Sequence, residues 1–198
     1  MGTLSPTLVL GSASPRRAEL LRQLGANFTI RSADIDETPI HDELPRDYVQ
    51  RMAREKSEAL ESGNDTVLLT ADTTVVLDNK SLGKPADFAD AQTMLEALSG
   101  RSHEVYTAVC LRQETQCKAV LVRTLVEFGE LSDRLIKDYL ATDEPWDKAG
   151  SYAIQGKGGS FVRRIDGSVS NVIGLPMLET RELLMQFAIA PVLKEPGT

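Results

Sequence analysis

The sequence predicts an α/β protein whose helices flank a mixed β-sheet. Segments with helical hydrophobic spacing and segments rich in β-forming residues follow one another along the chain, but without the strict alternation that builds an all-parallel sheet. The chain has 198 residues, of which 41% are hydrophobic and 26% are charged. This length and composition are enough for one hydrophobic core, and they favour a single domain over residues 1–198 or two small lobes.

The first predicted elements are a strand, a helix and a second strand. Residues 7–11 include the apolar run Leu8-Val-Leu10 and predict a short buried strand. Ser14 and Pro15 then begin a helix, because serine is a favoured N-cap and proline fits the first helical turn. Gly25 ends this helix, and a short strand is expected over residues 27–31.

The next two elements are a helix that begins at Pro45 and a strand over residues 66–78. The residues that share one face of this helix are Val49, Met52, Ala53, Lys56, Ala59 and Leu60. All of them are core-type residues except the lysine. The strand is rich in valine, leucine and threonine, which favour β-structure, and a turn at Asn79-Lys80 is predicted to follow it.

The second half of the chain continues this mixture of helices and strands. Its predicted elements, in order, are a helix over 87–98, two strands over 103–111 and 118–127 that form a hairpin, a helix from Ser132 to about 141, a strand over 161–165 and a last helix over 176–187. Residues 143–159 show no periodicity and contain four glycines, which is typical of a functional loop. A disordered tail is expected from about residue 190.

The charge balance limits the partners that we expect. The formal net charge is −7, so the surface repels phosphate backbones, no nucleic-acid partner is predicted, and any phosphate site must be a local cluster of cations. No apolar run is long enough to span a bilayer and no basic leader precedes the first strand, so neither a membrane segment nor a signal peptide is expected. Cys110 and Cys117 are interpreted as reduced thiols that could lie near each other across the hairpin, which favours a cytoplasmic location.

Asp72 is the strongest candidate for a functional residue. It interrupts the apolar strand over residues 66–78, and aspartate is a poor strand former. Burying its charge without a partner costs several kcal/mol, on the order of the usual desolvation penalties. The alternative is an aspartate that is satisfied by a hydrogen bond to a neighbouring turn. Because perturbed carboxylates cluster at active sites, we favour the functional interpretation.

Three cations also occupy positions that local structure disfavours. Lys56 lies inside the apolar face of the second helix: either its head reaches water, or its ammonium points into a cleft at phosphate or at a carboxylate such as Asp72. Arg16 and Arg17 lie in the first turn of a helix, where the macrodipole disfavours cations. They either point into solvent or form a polyanion cradle with the Ser12 hydroxyl and the free backbone N–H groups.

Three more polar residues become candidates beside a polyphosphate pocket. Glu37 lies in an acidic loop, where carboxylates are most often simply solvated; together with Asp72 it is nevertheless our predicted pair of Mg²⁺ or Mn²⁺ ligands, because hard oxygen ligands suit these ions. Lys84 precedes a proline, which fixes a cation near the exit of the Asp72 strand. Gln155 offers an amide that can pair with the edge of a base.

These residues lie in short motifs that resemble those of the Maf family of nucleoside triphosphate pyrophosphatases. The motifs are Ser12-Ala-Ser-Pro-Arg-Arg17, Arg54-Glu-Lys56, Ala71-Asp-Thr73, Gly83-Lys-Pro85, Leu98-Ser-Gly100, Asp147-Lys-Ala-Gly150, Gln155-Gly156 and Gly174-Leu-Pro176. Eight motifs in this order are far more specific than any single one. The resemblance covers nearly the whole chain. It implies an elongated mixed sheet with two lobes around a central cleft, as in inosine triphosphatases, often a homodimer, and cleavage of a nucleoside triphosphate to the monophosphate and pyrophosphate.

The resemblance also bears on the substrate. The branch of the family that acts on dTTP and UTP has arginine, threonine and glutamine at the positions matched by Arg16, Thr73 and Gln155. The branch that acts on 7-methyl-GTP tends to have tryptophan, glutamine and glutamate there. The match to the first branch implies that these three residues bind the substrate. The chemistry of these side chains agrees with dTTP and UTP as substrates. Arg16 would repel a cationic methylated purine, whereas the Gln155 amide can pair with the edge of uracil or thymine.

We therefore expect a cytoplasmic dTTP/UTP pyrophosphatase that uses Mg²⁺ or Mn²⁺. In this hypothesis Glu37 and Asp72 hold the metal ion, and Asp72 also accepts the proton of the attacking water. Lys56 is the third catalytic residue, since its charge offsets the charge that develops on the phosphates. The remaining substrate-binding residues are expected to be Ser12, Arg16, Arg17, Thr73, Lys84 and Gln155.

Three alternatives are left open by the sequence. The first is the same reaction on 7-methyl-GTP or on a modified nucleotide. The second is a non-catalytic protein that senses a nucleotide and regulates cell division, although binding alone gives no reason to bury Asp72 in a strand. The third is an interaction module whose acidic face binds a basic partner, which leaves the placement of Arg16 and Arg17 unexplained.

Overall fold

A computed structural model describes residues 6–192 of the chain. They form seven strands, β1 (Thr7–Leu10), β2 (Phe28–Ile30), β3 (Thr66–Leu77), β4 (Lys80–Leu82), β5 (Ser102–Gln113), β6 (Gln116–Phe128) and β7 (Val162–Asp166). The α-helices in this range are α1 (Pro15–Gln23), α2 (Pro45–Glu58), α3 (Phe88–Leu98), α4 (Asp133–Leu140), α5 (Val169–Ile173) and α6 (Met177–Gln186). Two short 3₁₀ turns, Ala149–Ser151 and Lys157–Phe161, lie in or at the end of the predicted functional loop.

The strands form one sheet in the order β2-β1-β3-β5-β6-β7, with β4 paired to β3. β1 runs parallel to β2 and to β3, and the other pairs are antiparallel. The predicted α/β class with a mixed sheet is thereby confirmed. The predicted hairpin is also present, as β5 and β6, and the Sγ atoms of Cys110 and Cys117 lie 3.1 Å apart across it.

β3 is the strand that connects the hydrophobic clusters. Side chains of a strand alternate between the two faces of the sheet, and one face of β3 contributes to two clusters along its length. Leu69 lies in the cluster with α1 and α6, and Val75 in the cluster with α3 and α4. On the opposite face, Thr70 donates a hydrogen bond of 2.6 Å to the carbonyl of Ala53 in α2. Asp72 shares this second face, because it lies two residues from Thr70.

One edge of β3 has a gap at its centre. β5 pairs with the opposite edge without interruption from Leu68 to Val76. On the near edge, β1 pairs with β3 only as far as Leu69, and β4 pairs with it only from Val75 onward. The intervening residues, which include Asp72, have no neighbouring strand on that side. A ligand can therefore approach this part of the sheet from its edge and reach side chains of both faces.

Two short elements differ from the predictions. The predicted turn at Asn79-Lys80 begins one residue earlier: Asp78 and Asn79 both have positive φ, 49° and 61°, and Lys80 already pairs with Leu77 as the start of β4. Two consecutive residues with positive φ make the tight hairpin turn that suits strand twist, and Asp and Asn tolerate it. The five-residue helix α5 was not predicted because it is too short to show a hydrophobic period.

The chain termini are described only in part. The predicted disordered tail begins at about residue 190, and most of it lies outside the described residues. Within the described part, the backbone N–H of Val192 donates a hydrogen bond of 3.2 Å to the carbonyl of Gly25. Across residues 6–192, the structure has no helix with the length and apolar character needed to cross a bilayer.

Candidate active site

A cleft with a volume of about 710 Å³ lies at the gap in the edge of β3. Its walls are the turn from β1 into α1, the acidic loop before α2, the centre of β3, the loop after β4 and the segment over residues 147–155. Every residue predicted for the site lines this cleft, namely Ser12, Arg16, Arg17, Glu37, Lys56, Asp72, Thr73, Lys84 and Gln155. The structure thus brings together residues that are up to 143 positions apart in the chain.

Asp72 belongs to a cluster of three charges in which Lys56 contacts both carboxylates. It is only 8% exposed, and its Oδ1 accepts a hydrogen bond of 2.7 Å from the Nζ of Lys56. The same Nζ lies 2.8 Å from Oε1 of Glu37. The Lys56 side chain is only 11% exposed and lines the cleft, and its ammonium points at a carboxylate, as the second interpretation of its position predicts.

The surroundings perturb the ionisation of Asp72. Burial raises the pKa of its carboxyl above the ordinary value, and the positive charges of Lys56 and Arg17 act in the opposite direction. A raised pKa brings a carboxylate closer to the range in which it can both accept and release a proton near neutral pH. The alternative of an aspartate bound to a neighbouring turn is not what the structure shows, because its partner is on helix α2.

Glu37 is held in place by residues that the sequence did not single out. The hydroxyl of Tyr48 donates a hydrogen bond of 2.9 Å to the backbone carbonyl of Glu37. Arg51 donates to the carbonyl of Thr38 at 3.2 Å and pairs with Glu43 at 2.6 Å. Burial and the negative charge of Asp72 raise the pKa of Tyr48 to about 12, so its hydroxyl stays a donor. The acidic loop is therefore anchored to α2.

The two adjacent arginines of α1 have different environments. Arg17 donates three hydrogen bonds to neutral protein oxygens: from Nε to the carbonyl of Gly174 at 2.9 Å, from Nη1 to Oγ of Ser12 at 3.1 Å, and from Nη2 to Oγ1 of Thr73 at 3.1 Å. Arg16 instead forms an ion pair of 2.9 Å with Asp147 on the opposite wall. Arg17 is thus built into the wall of the cleft, whereas Arg16 extends across it.

Asp147 also has a role in the cleft that the sequence did not indicate. Partial burial alone would raise its pKa, but hydrogen bonds from Lys148 and Arg16 lower the pKa of Asp147 to about 2. It is therefore ionised at all physiological pH values, and a negatively charged ligand would compete with it for Arg16. Its place inside the motif at residues 147–150 was the only sequence signal.

The N-terminal turn of α1 offers free donors to the cleft. Ser14 precedes the helix, but its side chain makes no capping hydrogen bond; its backbone N–H donates to Oγ of Ser12 at 3.2 Å. Within the described chain, the backbone N–H groups of Arg16 and Arg17 have no acceptor. Unpaired N–H groups and two guanidinium groups at one helix terminus form the type of arrangement that binds anions.

Lys84 and Gln155 lie at the exposed rim of the cleft. Neither side chain makes a hydrogen bond or an ion pair to any residue between 6 and 192. The loops that carry them are connected, since the backbone N–H of Gly150 donates a hydrogen bond of 3.0 Å to the carbonyl of Gly83. Both side chains are therefore available to a ligand in the cleft.

The carboxylates of the cleft are suited to a divalent cation. Oδ2 of Asp72 and Oε2 of Glu37 make no hydrogen bond within the described residues, while the other oxygen of each group contacts the shared Lys56 ammonium. The same part of the chain holds no group of three or more His, Cys, Asp or Glu side chains around a common point. Mg²⁺ is commonly bound by one or two carboxylates plus water and substrate phosphates, so the two free oxygens fit an ion that arrives with a polyphosphate.

Comparisons with known proteins show the family of the chain. A family model described as "Maf-like protein" matches residues 7–187. A Shewanella oneidensis protein named dTTP/UTP pyrophosphatase is 53% identical over 191 residues, which cover 92% of this chain and 98% of the relative. Proteins of the same name from Pseudoalteromonas atlantica and Anaeromyxobacter dehalogenans are 50% and 54% identical over 92% and 91% of this chain, and over 98% and 94% of their own lengths.

The likeness to a solved structure is weaker than these sequence matches. The Ham1 protein of Staphylococcus aureus aligns with 93% of this chain and 91% of its own length, at 11% identity and a TM-score of 0.46. The family match, by contrast, covers both walls of the cleft and all the residues predicted for it. The chain belongs to the Maf family.

Proposed function

We propose that the protein is a nucleoside triphosphate pyrophosphatase that hydrolyses dTTP and UTP to the monophosphate and pyrophosphate. The observation that carries this proposal is the Asp72–Lys56–Glu37 cluster, placed in a cleft beside the N-terminus of α1. The names of relatives that are 50–54% identical over nearly the whole chain support both the reaction and its substrates.

Asp72 is the proposed general base. Its carboxylate is inside the cleft and has one oxygen without a protein partner, which can accept a proton from a water molecule that attacks the bond between the α- and β-phosphates. Burial raises the pKa of this carboxyl, and the positive charge of Lys56 acts in the opposite direction. A divalent ion held by Asp72 and Glu37, Mg²⁺ or Mn²⁺, would supply charge neutralisation for the phosphates.

The cations of the cleft have different proposed roles in binding the triphosphate. Arg16 and Lys84 lie on opposite walls of the cleft with guanidinium and ammonium groups that phosphate oxygens can contact. Arg17 was predicted to bind the substrate directly, but each of its three guanidinium nitrogens already donates a hydrogen bond to a protein oxygen. We therefore propose that Arg17 positions Ser12 and Thr73. Ser12 remains a proposed phosphate ligand, because its hydroxyl lies beside the free N–H groups of α1.

Recognition of the base is assigned to Gln155, with Thr73 and Arg16 beside it. The amide of Gln155 has a donor and an acceptor, as does the edge of uracil or thymine, and neither end has a partner among the described residues. A cationic base would be repelled by Arg16, which argues against 7-methyl-GTP as the main substrate. A non-catalytic sensor would have no need of the buried Asp72–Lys56 pair.

The test is a pyrophosphate-release assay across dTTP, UTP, CTP, GTP and 7-methyl-GTP with Mg²⁺ or Mn²⁺. We expect dTTP and UTP to be the best substrates, and chelation of the metal with EDTA to stop the reaction until either ion is added back. A best substrate without a uracil or thymine base would refute the specificity. Binding without pyrophosphate release would favour the sensor.

Two further expectations accompany this function. We place the reaction in the cytoplasm, since nucleoside triphosphates are found there and the two cysteines remain free thiols. A homodimer, implied by the family, is proposed as well; sedimentation equilibrium of the purified protein would give a mass of one chain or of two.

A further inference from the structure

Residues 155–157 are exposed, but the backbone just after Gln155 is hydrogen-bonded to the carboxylate of Glu144, which is half-buried. Oε2 of Glu144 accepts a hydrogen bond of 2.8 Å from the backbone N–H of Lys157. Oε1 accepts one of 2.9 Å from the backbone N–H of Gly158. Glu144 lies 11 residues before Gln155 and contacts the chain immediately after it, so one side chain fixes the path by which the loop leaves the cleft.

Tyr139 extends this contact to the other side of Gln155. Its hydroxyl donates a hydrogen bond of 3.0 Å to Oε1 of Glu144 and accepts one of 3.1 Å from the backbone N–H of Ala153. The ring is 3% exposed and packs edge-on against Phe161 with 4.8 Å between ring centroids, so the hydroxyl has little freedom to move. The backbone is thereby held two residues before Gln155 as well as two and three residues after it.

The glycines of the segment are required by this same contact. A Cβ at Gly156 would lie 2.3 Å from Oε2 of Glu144, which no side chain could accept without displacing the carboxylate. A Cβ at Gly158 would lie 2.9 Å from the hydroxyl of Tyr139. The carboxylate and the hydroxyl therefore occupy the space that a larger residue would need, and the loop is shaped around them.

We propose that Glu144 is a positioning residue for base recognition: it holds the backbone on both sides of Gln155 so that the Gln155 amide is fixed against the base. This inference rests on the proposed function and deepens it. A carboxylate suits the role because it accepts all three hydrogen bonds and donates none. An amide at this position would turn an NH₂ group toward one of the three donors and lose at least that bond.

The test compares the wild type with Glu144→Gln, which keeps the size of the side chain and removes the charge. Glu130→Gln is the matched control, since Glu130 is exposed and has no hydrogen bond or ion pair among residues 6–192. For Glu144→Gln we expect the KM for UTP and dTTP to rise about tenfold, with kcat within about threefold, because the binding geometry of the base is lost and the chemistry is not. The preference for UTP over CTP should fall by a similar factor.

Two readouts separate positioning of the base from general damage. Inorganic tripolyphosphate carries the phosphates without a base, and its inhibition constant should stay within about twofold of the wild-type value. In a Gln155→Ala background, Glu144→Gln should have almost no further effect, because its consequence passes through Gln155. Tyr139→Phe, which removes only the hydroxyl, should raise the same KM by a smaller factor, and serves as the second variant if Glu144→Gln does not fold.

The outcomes are distinguishable. An active wild type with unchanged KM and unchanged base preference in both Glu144→Gln and Tyr139→Phe would refute this inference and leave the proposed function standing. An equal loss on every substrate together with weaker tripolyphosphate inhibition would also refute it, since that pattern means a collapsed cleft. A wild type that releases no pyrophosphate from any nucleotide would refute the proposed function, and this inference with it.

Discussion

Asp72 and His103 are buried titratable residues on neighbouring strands, and their surroundings differ in one decisive way. Asp72 on β3 is 8% exposed and His103 on β5 is 1% exposed. Lys56 and Arg17 place positive charge beside Asp72, whereas His103 packs against the rings of Phe128 and Tyr152, with centroids 4.8 Å and 5.4 Å away. Burial raises the pKa of Asp72 and lowers the pKa of His103 to about 4.

Burial disfavours the charged form in both places, so a perturbed pKa alone does not identify a functional residue. His103 is neutral, and its Nε2 shares a hydrogen bond of 2.8 Å with the Tyr152 hydroxyl. Tyr152 lines the cleft, but His103 is not among the lining residues. Asp72 has counter-charges and one oxygen that opens to the cleft. Asp72 is therefore distinguished from His103 by its access to the cleft and by its charged partners.

The largest effect is expected at Asp72. Asp72→Asn should lower kcat for dTTP by about a thousandfold or more, because the general base and one metal ligand are lost together. The melting temperature should not fall, since a carboxylate whose pKa is raised by folding costs stability above that pKa, and asparagine removes this cost. Asp138→Asn, on the exposed surface of α4, is the control. Turnover within tenfold of the wild type would exclude Asp72 as the base.

Lys56 tests whether the counter-charge is needed. In Lys56→Met the side chain keeps much of its volume but loses its charge, and we expect activity at pH 7 to fall by a factor on the order of 10² to 10³. Without the ammonium the pKa of Asp72 rises further, so the acid limb of the kcat/KM profile should move to higher pH. A lower activity with an unmoved acid limb would mean that Lys56 acts on the substrate alone.

His103 tests the structural side of the comparison. In the folded protein its pKa is about 4, below the ordinary value of 6.5, so the unfolded chain binds the extra proton first as the pH falls. The wild type should therefore lose about 2 kcal/mol of stability between pH 6.5 and pH 5 that His103→Gln does not lose. Urea unfolding of both proteins across this range measures the difference. Parallel pH dependences, or loss of activity at pH 7 in a folded variant, would contradict the assignment.

Arg16 and Arg17 test whether access of a side chain to the cleft decides its role, since the two residues are adjacent in α1. Arg16→Lys should raise the KM for dTTP about tenfold and leave the melting temperature unchanged, because Arg16 faces the cleft. Arg17→Lys should instead cost about 1 kcal/mol or more of stability, because lysine cannot reproduce its three hydrogen bonds. Equal effects of the two substitutions on both measurements would show that the distinction between them is wrong.

The sequence predicted the residues that break local rules. Asp72 within an apolar strand and Lys56 on an apolar helix face are visible without coordinates, because each violates the pattern of its own element. The eight motifs then brought in Thr73, which no local rule marks, and matched Gln155 to the dTTP and UTP branch of the family. The mixed sheet followed from strands and helices long enough to show their periods.

The supporting residues could not be predicted in this way. Tyr48, Glu144 and Asp147 all obey the local rules of a surface helix or a polar loop, and their roles come from contacts with chain that lies elsewhere in sequence. The hydroxyl of Tyr48 reaches a carbonyl 11 residues away, and the carboxylate of Asp147 reaches an arginine 131 residues away. Only the folded chain shows such contacts.

The site residues at the gap in the edge of β3 limit where the chain can change in length, because successive side chains of the strand lie on opposite faces of the sheet. Asp72 and Thr73 are successive residues that lie on opposite faces of the sheet. Deleting one residue upstream in β3 would therefore place Thr73 at the position of Asp72 beneath α2, and inserting one would place Ala71 there, so the carboxylate is lost in both cases. The hairpin turns at Asp78-Asn79 and between Gln113 and Gln116 bear no such constraint. Homologues should therefore vary in length at these turns while the twelve residues of β3 keep their number.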